Sequence, residues 1–245
     1  MQMPKIGTRK LYHILEPLLK EMSVGRDRLF LILKSNHMLI APNRSYRITT
    51  NSHHRFRKHK NLVDGLIIAR PEQVWVSDIT YLGNRERPCY LSLITDAYSK
   101  MIMGYNVSAH LDTENCIAAL RMAIRNRRYR EASLIHHSDR GIQYCSNEYQ
   151  RVLKRYGITC SMTENYDPYQ NAIAERVNGI LKQEFAIDRH SATALKVIQK
   201  IVAESIRIYN KHRPHYSCYM NTPEKMHEQQ DISIRTYKSL RSECR

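Results

Sequence analysis

This 245-residue sequence predicts a mixed α/β layer fold behind a small helical segment. Three observations carry the prediction. Residues 9–36 repeat apolar side chains at helical spacing on either side of a short Ser-Val-Gly break. Three runs rich in β-branched and aromatic residues follow from residue 72 with only turn-like links between them. Beyond them, short strands alternate with amphipathic helices, so the order reads β β β α β α β α.

The first helix is expected over 9–22, where Leu11, Ile14, Leu15, Leu18, Leu19 and Met22 share a stripe. The break at 23–25 leads to a second helix over 26–36, and helix, short turn, helix outlines a helix-turn-helix unit in residues 1–40. Arg26, Arg28 and Lys34 would line its second helix. A plain helical hairpin that only packs fits the same pattern. Residues 41–70, rich in Arg, Lys, His and Asn, read as a basic linker or arm able to lie along phosphates, or as a solvated tether.

A core region is expected over 71–190. Its strands are read at 72–83, 89–99 and 101–110 as an antiparallel meander, then at 132–139 and 158–163. A helix over 112–126 starts at a cap residue, Asp112 or Thr113, and one over 146–157 is stopped by Gly157. A loop with Pro168 leads to a helix over 171–185. A last long helix, about 192–211, opens the C-terminal segment 191–245.

There are 39 Lys and Arg against 23 Asp and Glu, a formal charge of +16, and residues 1–70 alone carry a net +10. A basic leading segment on a basic body points to a polyanionic partner, nucleic acid above all. No apolar run is long enough for a membrane span, and the first residues lack the apolar core of a signal peptide. Cysteines 89, 116, 145, 160, 218 and 244 are scattered without a CxxC pair, which argues for reduced thiols in the cytosol. His53 and His54 lack finger-spaced cysteines and read as a loop feature.

Three acids fall at telling places. Asp78 lies within the first strand, Asp139 ends the fourth within "HHSDRGIQY", and Glu175 sits early in the helix over 171–185. If the first and fourth strands lie side by side, Asp78 and Asp139 become neighbours and the helix can present Glu175 to both. Two carboxylates about 4 Å apart repel by roughly 4 kcal/mol at an effective dielectric of about 20. Divalent cations remove that cost, and carboxylate-only ligation suits Mg²⁺ or Mn²⁺. Two ions about 3.5–4 Å apart form a clamp for in-line displacement at phosphorus. On the helix, Ile173, Val177, Ile180, Leu181 and Glu184 are expected to face inward, with Glu175, Asn178, Gly179 and Lys182 on the opposite stripe. That stripe fits either an approaching ligand or plain solvent.

"WVSDITYL" (75–82), "HHSDRGIQY" (136–144) and "NAIAERVNGILKQEF" (171–185), with thirty-five residues between the last two acids, resemble the core of DDE transposases and retroviral integrases. More narrowly, the chain resembles the OrfB transposases of the IS-three family, whose closing motif is similar to "YNKHRPHYSCYMNTPEKMH" (209–227). The resemblance implies a ribonuclease H-like core with three antiparallel and two parallel strands, and Asp78, Asp139 and Glu175 as catalytic ligands of two Mg²⁺ or Mn²⁺ ions. It implies that Lys182 contacts transposon-end DNA, as does Asn171, for which a helix N-cap is the alternative. Asn178, Arg140 and Gln143 join the DNA-facing set. Tyr144 is either a DNA contact or core. His137 and Gly141 would shape the turn around Asp139, Trp75 would pack, and Asp96 would hold a turn.

"YDPYQNA" (166–172) departs from the family in its glutamine and in lacking a glycine. The zinc-binding front domain of retroviral integrases is also missing, and the chain reads as the downstream-frame product alone. The function expected is metal-dependent strand cleavage and transfer on double-stranded DNA. The enzyme would work as a homo-oligomer, with an upstream-frame OrfA protein as a further partner, in the bacterial cytoplasm at the nucleoid. The alternatives are a divalent-metal nuclease of the same fold and a catalytically silent DNA-binding regulator.

Overall fold

The chain opens with α1 (Thr8–Glu21) and α2 (Arg26–Ser35). The strands are β1 (Val74–Tyr81), β2 (Tyr90–Asp96), β3 (Ile102–Ser108), β4 (Ile135–Ser138) and β5 (Thr159–Met162). The remaining helices are α3 (Thr113–Arg125), α4 (Ile142–Cys145), α5 (Asn147–Arg155), α6 (Ala172–Glu184), α7 (Leu195–His212) and α8 (Pro223–Glu228). This computed structural model describes residues 3–40, 59–83, 86–163, 171–190 and 194–234. His53 and His54, and most of the "YDPYQNA" loop, lie outside the described residues.

The strands form one sheet in the order β3-β2-β1-β4-β5. β1, β2 and β3 are the antiparallel meander, and β4 and β5 extend it in parallel. Side chains alternate across the sheet. Leu91, Leu93 and Val107 face α6 and α7, where they meet Val177, Ile180, Leu181, Val202 and Tyr209. Trp75, Ile94 and Met103 face the other way, against Leu120 of α3 and Tyr149 and Leu153 of α5. Asp112 caps α3 by accepting from the Asn115 N–H at 3.0 Å, and Ser146 caps α5 from the Tyr149 N–H at 3.2 Å. α5 ends at Gly157, which takes φ +64°. At Gly104 a Cβ would come within 2.2 Å of the Ala119 carbonyl oxygen, so α3 lies on β3 at backbone contact.

Several features differ from the sequence-based expectation. The basic arm was expected to run to residue 70, but residues from Lys60 on pack on the sheet. The Met162 N–H donates to the Lys60 carbonyl at 3.3 Å, and Val63, Leu66 and Ile68 cover Val74 and Val76. The apolar run at the end of that segment outweighs its charge. In the helical pair, Leu19, Leu29 and Leu33 are buried, but Ile14, Leu18 and Met22 of the apolar stripe stay exposed because α2 covers only part of it. The turn is made at Ser23, with φ 55°, while Gly25 precedes α2 in extended backbone. α4, α8 and the 3-10 turn Tyr216–Cys218 were not foreseen.

Two buried ionic junctions tie the chain ends to this core. Glu184, at the end of α6, accepts Lys10 Nζ of α1 at 2.6 Å and both Arg213 Nε and an Arg213 terminal nitrogen at 2.8 Å. Burial lowers the Lys10 pKa, and the neighbouring Arg213 charge adds to this. Glu184 stays below its usual range because the Arg213 and Lys10 bonds outweigh its burial.

At the other junction, Asp96 holds the turn after β2, accepting from Ser99 N–H and Oγ–H at 2.8 Å and from the Glu72 N–H at 2.7 Å. His227 of α8 reaches Glu72 with Nε2 at 3.2 Å and Ser99 with Nδ1 at 3.0 Å, and Arg127 Nε donates to Glu72 at 3.0 Å. Burial works against a charge on His227, but Asp96 and Glu72 raise its pKa to about 9.

Two outcomes follow. Gly104→Ala should lower the melting temperature, at a cost of about 1–3 kcal/mol for overpacking, read by calorimetry. Because the folded pKa of His227 lies above the ordinary 6.5, its contribution is full below about pH 6.5 and is lost as pH rises through about 9. The melting temperature should fall across that window, and His227→Gln should flatten the fall.

Candidate active site

The site starts from register. β1 and β4 run parallel with Ser77 opposite Ser138, so the next residues, Asp78 and Asp139, emerge together from adjacent strands. Beneath them the strands are locked by hydroxyl and imidazole contacts. His136 Nε2 meets Ser77 Oγ at 2.7 Å and Tyr149 Oη at 2.9 Å, and His137 Nδ1 meets Ser161 Oγ at 2.9 Å. Burial, with the nearby His137, pushes the His136 pKa down to about 3, so its ring is neutral. The two histidines before Asp139 are therefore interior struts rather than ligands.

Each aspartate is held by local donors. Asp78 Oδ1 accepts the Ile79 N–H at 2.9 Å, and its Oδ2 accepts Asn178 Nδ2 of α6 at 2.8 Å. Asp139 Oδ1 accepts the Gly141 N–H at 2.9 Å. Burial is the largest cause raising the Asp78 pKa, the Asp139 charge is next, and Glu175 adds to both. The Asn178 and Ile79 bonds oppose them, and the net is about 7. Burial also raises the Glu175 pKa.

The structure brings Asp78 and Asp139 together and sets Glu175 near enough on α6 for its charge to act on Asp78. The Glu175 side chain is exposed, and among the described residues no three His, Cys, Asp or Glu side chains form a group that could hold a metal ion. The donor chemistry nonetheless fits a hard divalent cation. Two adjacent carboxylates, one pushed to about 7 partly by the other, are relieved by positive charge between them. Asp78 and Asp139 could hold such an ion, with Glu175 as the further oxygen donor.

The residues expected to face DNA divide. Lys182 is half-buried on α6, Arg140 is half-buried beside Asp139, and Arg26, Arg28 and Lys34 are exposed on α2. Arg26 Nε also donates to Asp27 at 2.9 Å.

Three others, expected to face DNA, face inward instead. Asn178 was placed on the outer stripe, but it is buried and bonded to Asp78. Asn171 is buried and neither caps α6 nor reaches out; its Nδ2 donates to the Ser77 carbonyl at 3.0 Å. Gln143 is buried, and its Nε2 donates to the Leu111 carbonyl at 3.3 Å. Tyr144 is core, and Trp75 is fully buried packing. Asn178 as a partner of Asp78 is the residue that sequence reasoning missed. Its only signal was a position one turn after Glu175, which the helical wheel assigned to solvent.

Two family models, each described as an integrase core domain, match residues 69–168 and 156–223. The chain is 36% identical over 211 residues to the insertion element IS600 uncharacterized 31 kDa protein of Shigella sonnei, an alignment covering 85% of this chain and 76% of that one. It is 35% identical over 160 residues to the transposase InsF for insertion sequence IS3fB of Escherichia coli (strain K12), covering 65% of this chain and 55% of that one. The chain thus spans between about half and three-quarters of these relatives' lengths. Among solved structures, the HTLV-2 integrase catalytic core domain in complex with magnesium superposes with a TM-score of 0.51 at 19% identity. That match covers 64% of this chain and 97% of the viral one, and it shows a shared ribonuclease H-like fold.

The mutual effect of the two aspartates is measurable without activity. By carboxyl carbon NMR on metal-free protein, Asp139→Asn should lower the Asp78 pKa from about 7 by removing a like charge. Asn178→Ala should raise it further by removing a hydrogen bond to the charged form.

Proposed function

This chain belongs to the DDE transposases of the IS3 family, and from that membership we propose that it cuts and rejoins DNA at the ends of an insertion sequence. The observation that carries the reading is the Asp78–Asp139 pair, set side by side by the β1–β4 register under the helix bearing Glu175. We assign Asp78, Asp139 and Glu175 as catalytic residues holding two Mg²⁺ or Mn²⁺ ions. Such ions would neutralise the carboxylates, activate the attacking oxygen and stabilise the leaving one.

The chain's own groups do the rest. Ile79, Gly141 and Asn178 orient the two aspartates before any substrate arrives. In the first step water attacks a phosphodiester at the element end, the P–O bond to the leaving strand breaks, and a 3′-OH is freed. In the second step that hydroxyl attacks a phosphodiester of target DNA, and the displaced 3′ oxygen leaves. Lys182 and Arg140 border the acids and bind the phosphate backbone near the reacting bond. Arg26, Arg28 and Lys34 on the exposed side of α2 bind duplex at a distance from it. Paired ends call for a homo-oligomer, and an upstream-frame OrfA protein is the further partner. No helix among the described residues is long and apolar enough to cross a membrane. A DNA substrate places the protein in the cytoplasm at the nucleoid.

The test uses the full chain, a labelled element-end duplex, target DNA and Mn²⁺. Wild type should give cleaved and joined products. Asp78→Asn, Asp139→Asn and Glu175→Gln should each lose both by on the order of 10³-fold or more while still binding DNA. Cleavage without joining would make the protein a nuclease. DNA binding with no reaction in wild type would make it a regulator.

A further inference from the structure

A cavity of about 470 Å³ lies where the N-terminal helical pair meets the C-terminal segment, away from the acids. Its walls include Arg9 and Lys10 of α1, Arg26, Asp27 and Phe30 of α2, and Tyr216 from the turn after α7. We propose that this cavity binds an unpaired nucleotide of the DNA substrate, its base stacked on Phe30 and Tyr216 and its phosphate held by Arg9 and Arg26. The inference rests on DNA being the substrate.

Four features carry it. Phe30 is 43% exposed and Tyr216 46% exposed, so two aromatic rings from distant parts of the chain stand open to one cavity. Aromatic faces next to arginines are the combination that recognises single-stranded nucleic acid. Of the cations, Lys10 is committed to Glu184, whereas Arg9 is exposed and the Arg26 pair with Asp27 is itself exposed, so a phosphate can displace it at little cost. The walls are also fixed relative to each other, since Lys10 on one side and Arg213, three residues before Tyr216, grip the same Glu184. Finally, a volume of about 470 Å³ has room for one base with its sugar-phosphate and falls within the roughly 300–1,000 Å³ of small-ligand sites.

Equilibrium binding by fluorescence anisotropy tests this with two labelled probes, a short blunt duplex and the same duplex carrying a single-stranded tail. Wild type should bind the tailed probe roughly tenfold more tightly, the scale of stacking one base on aromatic side chains. Phe30→Ala and Tyr216→Ala should lose that preference and keep the affinity for blunt duplex. Tyr216→Phe should retain it, because the ring and not the hydroxyl is used. Equal binding of both probes by wild type overturns the proposal. So does a preference kept by either alanine variant or lost by Tyr216→Phe. Binding to neither probe would instead overturn the reading of DNA as substrate.

Discussion

The parallel pairing of β1 with β4 is the constraint on which the rest depends. Once Ser77 stands opposite Ser138, two aspartates must share the end of that rung whatever the cost in repulsion. A folded domain gains nothing in stability from such a pair, since the Asp139 charge makes Asp78 harder to ionise. The surroundings offset the cost with local donors: the backbone amides of Ile79 and Gly141 and the amide of Asn178. Below, the neutral ring of His136 between Ser77 and Tyr149 keeps the two strands in step without adding charge near the acids.

This arrangement explains how a strongly basic protein tolerates acids at its centre. The surface cations approach from outside, on α2 and at Lys182 and Arg140, and the interior cations are spoken for elsewhere. Arg213 and Lys10 are spent on Glu184, and Arg127 and His227 on Glu72. Charge is segregated into closed ion-paired junctions that hold the fold and a carboxylate pair, Asp78 and Asp139, that lies outside those junctions.

Much of the architecture was legible in the sequence because it rests on periodicity. The strands announce themselves by β-branched runs and the helices by apolar stripes, and the cap at Asp112 marks the start of α3. The neighbourhood of Asp78 and Asp139 was legible too, since it follows from setting the first and fourth strands side by side. What escaped was the set of buried polar side chains. Asn178, Asn171 and Gln143 look like surface residues until their partners are known, and those partners lie 100, 94 and 32 positions away. A helical wheel cannot tell a polar residue facing water from one facing a buried carboxylate. The apolar end of the basic arm was hidden for the opposite reason, since net charge masked a short run that packs on β1.

The junction at Glu184 also bears on how the molecule is made. Lys10 and its carboxylate are separated by 174 positions, and Arg213 comes 29 residues later still. During synthesis the first helical pair therefore emerges long before anything exists to anchor it. Its hairpin core is small, and much of its apolar stripe stays uncovered. The helical pair, synthesised before the core it docks on, is thus among the last parts to be secured. A nascent polypeptide halted before Glu184 would carry the helical pair without this anchor, with Ile14, Leu18 and Met22 uncovered.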